Sequence, residues 1–565
     1  MRIAVAFVSA LFLLCVLSLM SPEGTTEAAT VDKVYIWLPR TTCNFMKTPS
    51  EEFDILLNIT WSGTPVSSSE IGARLQYTLD DRNLSYELVV DGFRSTEEPG
   101  IWAASVTAPA NAIPGLIYDL QVDIGGDTLT EPRCLQMIDA YKTELKVMHL
   151  TDVHIDYADS NLIGPPVPSA QDMMDKVVEE VNLLNPDVVL VTGDLVFRGY
   201  SVGVGPDIVQ QFEMYRESIS RLDAPVCTCI GNHEVEWNPD VEGTTRNYVE
   251  NIGPLHWGFD YGHVHFLLLN STTDYVQDSR LEGGFSAAEL EWCEQRLNAI
   301  PAGELTIVGF HHDYGALVRS GSEEMKALLG NNSDKVKFVL TGHSHIDGLD
   351  DVNGVKYLQT LSCGENDGSG ENGYRMLTVS SGVVTDYAYA QTEFGSIPYN
   401  LLNSTITPNP SGGVAVDILV ENWLLEDLTD CSIVYEIGPG KDVTGVNCTV
   451  EQVISSSSRT LIRLGFQISQ GSSNTLRLEY MDTADDDTVT DDDIDDDVAS
   501  DDDATDDDVI ADDDTDDDVV LDDDTSDNDT GKDDTGINFW TALTIVAVVL
   551  VIIIVIAVVV SKRRR

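Results

Sequence analysis

Between residues 145 and 345 the chain repeats one pattern: a short apolar run that ends on Asp, Asn or His. Leu145-Lys-Val-Met-His-Leu150 leads into Asp152-Val-His154, and Val188-Val-Leu-Val-Thr192 into Gly193-Asp194. Val226-Cys-Thr-Cys-Ile230 leads into Gly231-Asn232-His233, and Leu305-Thr-Ile-Val-Gly-Phe310 into His311-His312. Val336-Lys-Phe-Val-Leu-Thr341 leads into Gly342-His343-Ser344-His345. Short apolar runs bounded by such breaks predict buried strands. Between them the period changes to that of a helix. Ser169 caps a segment with Met173, Val177, Val181 and Leu184 on one face. Residues 206–222 read as a second helix, and Ser286-Ala-Ala-Glu289 as a capping box that opens a third. Alternating strands and helices predict an α/β domain over residues 144–392, with the polar strand ends gathered at the edge where sites form in open α/β sheets.

The flanks follow other patterns. Residues 31–143 alternate apolar and polar positions, as in Asp54–Trp61, Ala73–Leu79 and Leu116–Asp123, which predicts an immunoglobulin-like β-sandwich. Beyond residue 393 the helical signal stops. Gly413–Val420, Thr460–Phe466 and Asn474–Tyr480 predict a second, smaller β-sandwich over 410–480. Asp-Asp-Asp repeats fill residues 482–535, where like charge and few large apolar residues predict a disordered stalk. Residues 537–560 are apolar or uncharged and long enough for one transmembrane helix. The basic tip 561–565 assigns the C-terminus to the cytoplasm. Residues 1–29, a basic start, an apolar run and a small-residue end at Ala29, read as a signal peptide. These features predict a single-pass protein at the cell surface, with its α/β domain outside and a membrane contact through the C-terminal helix.

Composition sharpens this picture. Formal charge is −63, and 29 of the 95 acidic residues lie between Asp482 and Asp534. Without a basic footprint, binding to a nucleic-acid backbone is not expected. All ten His lie between His149 and His345, a concentration that favours a metal centre over scattered structural histidines. His149, His256, His263 and His265 stand outside the strand-end pattern and read as structural. Of nine Cys, Cys15 falls in the leader. The remaining even number suggests disulfides in an exported chain. Cys43 with Cys134 and Cys431 with Cys448 are the expected pairs, because each brackets much of one flanking domain. The pairing of Cys227, Cys229, Cys293 and Cys363 stays open. Cys227-x-Cys229 lacks the second pair and the spacing of a zinc site.

Asp152-x-His154, Gly193-Asp194, Gly231-Asn232-His233, His311 and Gly342-His343-x-His345 together resemble the motif set of the calcineurin-like metallophosphoesterases, over about residues 145–390. The resemblance implies a metallophosphoesterase fold for the centre, a β-sandwich of sheets flanked by helices, in a multidomain chain. It also implies two divalent metal ions (Mn, Fe or Zn). Asp152, His154 and His345 would hold one ion, Asn232, His311 and His343 the other, and Asp194 would bridge them. His233 would not be a ligand but would meet the substrate as catalytic acid. His311 is preferred to its neighbour His312 because the family takes the first His of such a pair. The prolines that usually follow are replaced by Asp313-Tyr314-Gly315, which brings His312 and Asp313 into consideration as substrate contacts.

Purple acid phosphatases carry Gly where His154 stands, and Tyr where Phe197 stands. The chain looks more like the cyclic-nucleotide phosphodiesterase and sphingomyelinase-like branch. The function so implied is hydrolysis of phosphodiesters or phosphomonoesters by metal-activated hydroxide. The alternative is a cell-surface adhesin, receptor or envelope protein that retains the fold without turnover. Neither the substrate nor the oligomeric state is written in the sequence.

Overall fold

Parallel pairing sets the centre of the molecule. The computed structural model describes residues 30–62, 66–156, 169–197, 207–235, 245–272, 281–364, 371–408 and 414–480. Glu144–Leu150 pairs in parallel with Val188–Thr192, which pairs in parallel with Val226–Cys229. Gly373–Ser380 adds on antiparallel beside Glu144–Leu150, followed by Val383–Asp386. A second sheet runs Trp257–Tyr261, Val264–Leu268, Leu305–Gly309, Val336–Thr341, Val355–Gln359 and Gly348–Val352. Its four strands from Val264–Leu268 to Val355–Gln359 are parallel.

The period-two alternation of strands divides these residues between three cores. Leu145, Val147, Leu190, Cys227 and Cys229 face Phe266, Leu268, Ile307 and Leu340 between the sheets. Met148, Leu150, Val189 and Val191 face outward onto the helices Ala170–Leu184 and Ile208–Ile219. Leu267, Val308 and Val339 face the helices Ala287–Ala299 and Ser322–Asn331. The centre is therefore two sheets packed face to face and flanked by helices. Because the strands are parallel, their C-terminal ends share one edge.

Ser169 and Ser286 cap their helices as the pattern predicts, accepting from Asp172 N–H and Glu289 N–H. Glu289 does not complete a capping box. Its carboxylate turns inward, where it accepts from Asn270 N–H at 2.7 Å and meets His256 Nδ1 at 2.8 Å.

The N-terminal residues form an eight-stranded sheet. The long strand Arg82–Ser95 pairs first with Ile71–Leu79 and then with Ile101–Thr107, so it carries the sheet around a corner. Residues 42–44 extend from this part along Val226–Cys229, with Thr228 N–H donating to Thr42 O and Asn44 N–H to Val226 O, each 2.9 Å. An otherwise open sheet edge is thereby covered.

The C-terminal residues form a four-stranded and a three-stranded sheet. They begin earlier than the predicted residue 410, because Leu402–Pro408 pairs with Val414–Asn422. These sheets share a core with the helix Ala170–Leu184, which buries Met174, Val178 and Leu183 beside the predicted stripe.

Glu180 lies buried in that shared core. It accepts from Tyr374 Oη at 2.7 Å and from Asn400 N–H at 2.5 Å. Burial raises its pKa from 4.5 to about 7, against the Tyr374 and Asn400 donors, which favour the charged form. Between those values the folded protein keeps a proton that the unfolded chain has lost. Stability therefore falls as pH rises from about 4.5 to about 7 and stays lower above it. Glu180→Gln should raise Tm at about pH 8, by a stabilisation of order 3 kcal/mol at most, and leave it unchanged at about pH 4.5. Thermal melts of both proteins across pH check this. An equal gain at both ends would contradict it.

No two of the described cysteines are bonded in this structure, so neither expected disulfide is formed in it. Cys134 belongs to the N-terminal core, whereas Cys43 points into the core between the central sheets. Cys431 pairs with Phe466, and Thr449 pairs with the adjacent Gly465 on that strand's other side. Cys431 and Cys448 are thus separated by a whole strand, roughly 9–10 Å, beyond the reach of a disulfide.

No helix among the described residues is long and apolar enough to cross a membrane. The predicted signal peptide, stalk, transmembrane segment and basic tip all lie outside the described residues.

Candidate metal centre

At the shared edge the five polar strand ends become turns. Asp152, His154, Asp194, His343 and His345 all adopt φ between 48° and 74°. Such left-handed backbone at side-chain-bearing residues persists only where the surroundings fix it. Here the turns hold one another. Asp152 N–H donates to Gly193 O at 3.1 Å and His154 N–H to Asp194 O at 2.9 Å. His233 N–H donates to Asp194 Oδ1 at 2.8 Å, and His343 N–H to Asp152 Oδ2 at 3.0 Å. The motif glycines let these backbones close up: a Cβ on Gly231 would strike Asp194, and one on Gly342 would strike Thr151 and Asp152.

The structure brings all seven predicted ligands together in two adjoining groups. In the first, His345 Nε2 lies 3.2 Å from both Asp152 Oδ1 and His154 Nε2. In the second, His311 Nε2 lies 2.8 Å from Asn232 Oδ1, 3.1 Å from Asp194 Oδ2 and 3.2 Å from His343 Nδ1. His343 Nδ1 is also 2.9 Å from Asn232 Oδ1. Asp194 Oδ2 stands between the groups, 3.7 Å from His154 Nε2.

The donor chemistry of the second group fits a cation. His311 Nδ1 donates to Thr192 O at 2.9 Å, which leaves Nε2 of a neutral ring as a lone pair. That lone pair faces an amide oxygen, a carboxylate and a further imidazole nitrogen, all of them acceptors.

The electrostatics draw positive charge to the same place. Burial pushes the Asp152 carboxyl up, but His345 and His154 outweigh it and hold Asp152 well below the usual carboxylate range. Asp194 is likewise held down by His311 and His233 against burial. Burial lowers His311, yet the Asp194 and Asp152 carboxylates raise its pKa to about 10, so at neutral pH a proton takes the Nε2 position that a metal cation would otherwise hold.

His233 differs from these residues. Its side chain is 23% exposed, whereas those of His154 and His311 are fully buried. Its Nδ1 donates to Phe197 O at 2.7 Å, so Nε2 faces the site, 4.0 Å from Asp194 Oδ2. His154, Asp194 and His233 also form a third group with metal-ligand spacing.

His312 is set apart from His311. Its Nδ1 meets Ser271 Oγ at 2.9 Å, and its ring packs on His343 with centroids 4.5 Å apart. Asp313 closes its own turn, accepting from Gly315 N–H, Ala316 N–H and Ser344 Oγ. His149 sits between Thr192 and Thr360, where burial lowers its pKa to about 3. His256, His263 and His265 pair with carboxylates on Glu289, Glu304 and Asp260.

Glu234 is the residue that motif reading left without a role. Its buried carboxylate accepts four backbone N–H groups: Gly231 at 2.7 Å, Asp194 at 2.9 Å, Leu195 at 2.7 Å and Val196 at 3.1 Å. It ties the Asp194 turn to the Asn232 turn. Glu234→Gln replaces one acceptor oxygen with a donor that faces N–H groups. Metal affinity should fall about 10- to 100-fold, the usual scale for groups that orient ligands. Competition with a chromogenic chelator measures this, and unchanged affinity would contradict the role.

Residues 145–347 match the family model for calcineurin-like phosphoesterases. The probable glycerophosphodiester phosphodiesterase GpdQ of Arcobacter nitrofigilis is 24% identical over 168 residues, which cover 28% of this chain and 57% of that protein. The chain thus spans little more than half the length of that curated relative. Among solved structures, purple acid phosphatase from yellow lupin (Lupinus luteus) seeds aligns with 59% of this chain and 71% of its own, at 13% identity and a TM-score of 0.34. A putative 5'-nucleotidase from Staphylococcus aureus aligns with 46% of this chain and 53% of its own, at 16% identity and a TM-score of 0.28.

Proposed function

From the premise that residues 145–347 are a calcineurin-like phosphoesterase domain, we propose that the chain is a binuclear-metal phosphoesterase that prefers phosphodiesters. The observation that carries this reading is the pair of acceptor-rich groups joined through Asp194. Asp152, His154 and His345 would hold one divalent ion, Asn232, His311 and His343 the other, with Asp194 shared. Bound there, two such ions supply Lewis acidity to phosphoryl oxygens and lower the pKa of the attacking water.

The chain's own residues do the rest. Asp152 and Asp194 are the only carboxylates in the set, and Asn232 adds an oxygen without charge, so an anionic substrate is not repelled. Phe197 O fixes the His233 ring through Nδ1–H and points Nε2 into the site; burial lowers the ring's pKa to about 4, so it is the imidazolium form that would give the Nε2 proton to the leaving oxygen. Phe197 and His154 set the chain apart from the purple acid phosphatases, which have Tyr and Gly there, and so support the phosphodiesterase-like branch. A curated relative named as a phosphodiesterase supports it as well.

The same reading assigns the domain to the cell exterior, tethered by residues 537–560 through the acidic stalk. The leader pattern, the apolar segment and the basic tip of the sequence support that placement.

The test uses the full chain, freed of metal and resupplied with Mn, Zn or Fe. Turnover of bis-p-nitrophenyl phosphate should exceed that of p-nitrophenyl phosphate. The reverse order would overturn the diester preference, and no turnover of either with any metal would overturn the enzyme reading.

A further inference from the structure

Where the N-terminal sheet reaches the central one, two thiols stand opposite each other. Cys43 and Cys227 form an antiparallel bridge pair, set between the Thr228–Thr42 and Asn44–Val226 hydrogen bonds. Cys43 uses its own N–H and C=O on Arg40, at 2.9 and 3.0 Å, so the two cysteines exchange no backbone bond. In such a pair the facing Cα atoms lie about 4.5 Å apart with their side chains close together. A disulfide takes Cα separations of about 4.4–6.8 Å.

Both side chains are wholly buried and enter the same core, the one between the central sheets; both are thiols here, and Cys227 Sγ–H donates to Asn44 O at 3.7 Å, a contact that the bond would replace. The other cysteines are placed less well. Cys229 is two residues further along the strand, and Cys134, Cys363 and Cys293 each belong to a different core.

We propose that Cys43 and Cys227 are joined by a disulfide that fastens the N-terminal sheet to the edge of the central sheet. Each thiol gives up one proton and one electron as the S–S bond forms. A disulfide-bearing oxidant, small or enzymatic, takes up both electrons and becomes two thiols. Burial pushes the Cys43 thiol up to about 12 and Cys227 well above its ordinary value, so few thiolates exist once the protein is folded. The bond therefore forms during folding, before the edge closes. It would also tie together segments far apart in sequence, which constrains the unfolded chain strongly.

The test is independent of the phosphoesterase reading. The full chain is reduced, denatured and refolded with mixed oxidised and reduced glutathione. It is then alkylated, digested without reduction and mapped by mass spectrometry. The expected product is a Cys43–Cys227 peptide pair lighter by two hydrogens than its reduced parts, with Cys134, Cys229, Cys293 and Cys363 alkylated. The oxidised protein should lose Tm on treatment with dithiothreitol, and the Cys43→Ala/Cys227→Ala protein should not. Alkylation of both thiols in the refolded wild type, or a bond from either to another cysteine, overturns the proposal. The wild-type map decides the question even where a variant fails to fold.

Discussion

Asp194→Asn should cut phosphodiester turnover by on the order of 10³-fold or more, because one side chain serves both halves of the centre. Asp194 Oδ2 lies 3.1 Å from His311 Nε2 and 3.7 Å from His154 Nε2, and Oδ1 accepts from His233 N–H. Asparagine keeps the shape but loses the charge that two cations share. It can also turn an N–H₂ group inward, which is no metal ligand and can occupy an imidazole lone pair by donating to it. Metal content should fall with activity. Steady-state kinetics and elemental analysis on the same preparation check both, and a variant that keeps full activity would remove Asp194 from the account.

His233→Ala should lower turnover by roughly 10²–10⁴-fold for alkyl phosphodiesters while metal content stays at the wild-type level. The loss should be far smaller for a p-nitrophenyl ester, whose phenolate departs without a proton. This contrast isolates proton donation. It also settles the third group of His154, Asp194 and His233. If His233 were a ligand, metal content would drop and both substrates would suffer alike.

The site was legible because its geometry follows from a local pattern. An apolar run that stops on Asp, Asn or His marks a parallel strand's C-terminal end, and parallel strands put those ends at one edge. Asp152, His154, Asp194, Asn232, His343, His345 and the His311-His312 pair were thus readable as candidates from their own few neighbours. The division of these residues between two ions, the choice of His311 over His312 and the separate part of His233 came only from the family resemblance. The structure separates His311 from His312 by which ring turns toward Asn232.

Glu234 was not legible in the same way. Its partners are backbone N–H groups of residues 194–196, whose side chains say nothing of it. Glu289 misled for a related reason: a helix-cap motif is local, whereas Asn270 and His256 reach it from outside the helix. The cysteine pairs failed because bracketing a domain does not reveal which face of a strand a side chain occupies. Cys43 lies beside the strand that holds Cys134 but points into another core. The merging of the C-terminal sheets with the centre left a trace in Met174, Val178 and Leu183, a second apolar stripe on a helix that the first stripe already explained.

The most direct test of the account is a metal count. The full chain would be stripped with chelator, reloaded with Mn, Zn or Fe, desalted and measured by elemental analysis against protein concentration. Two divalent ions per chain, released together on denaturation, is the result the geometry predicts. Less than stoichiometric retention of every metal tried would contradict it.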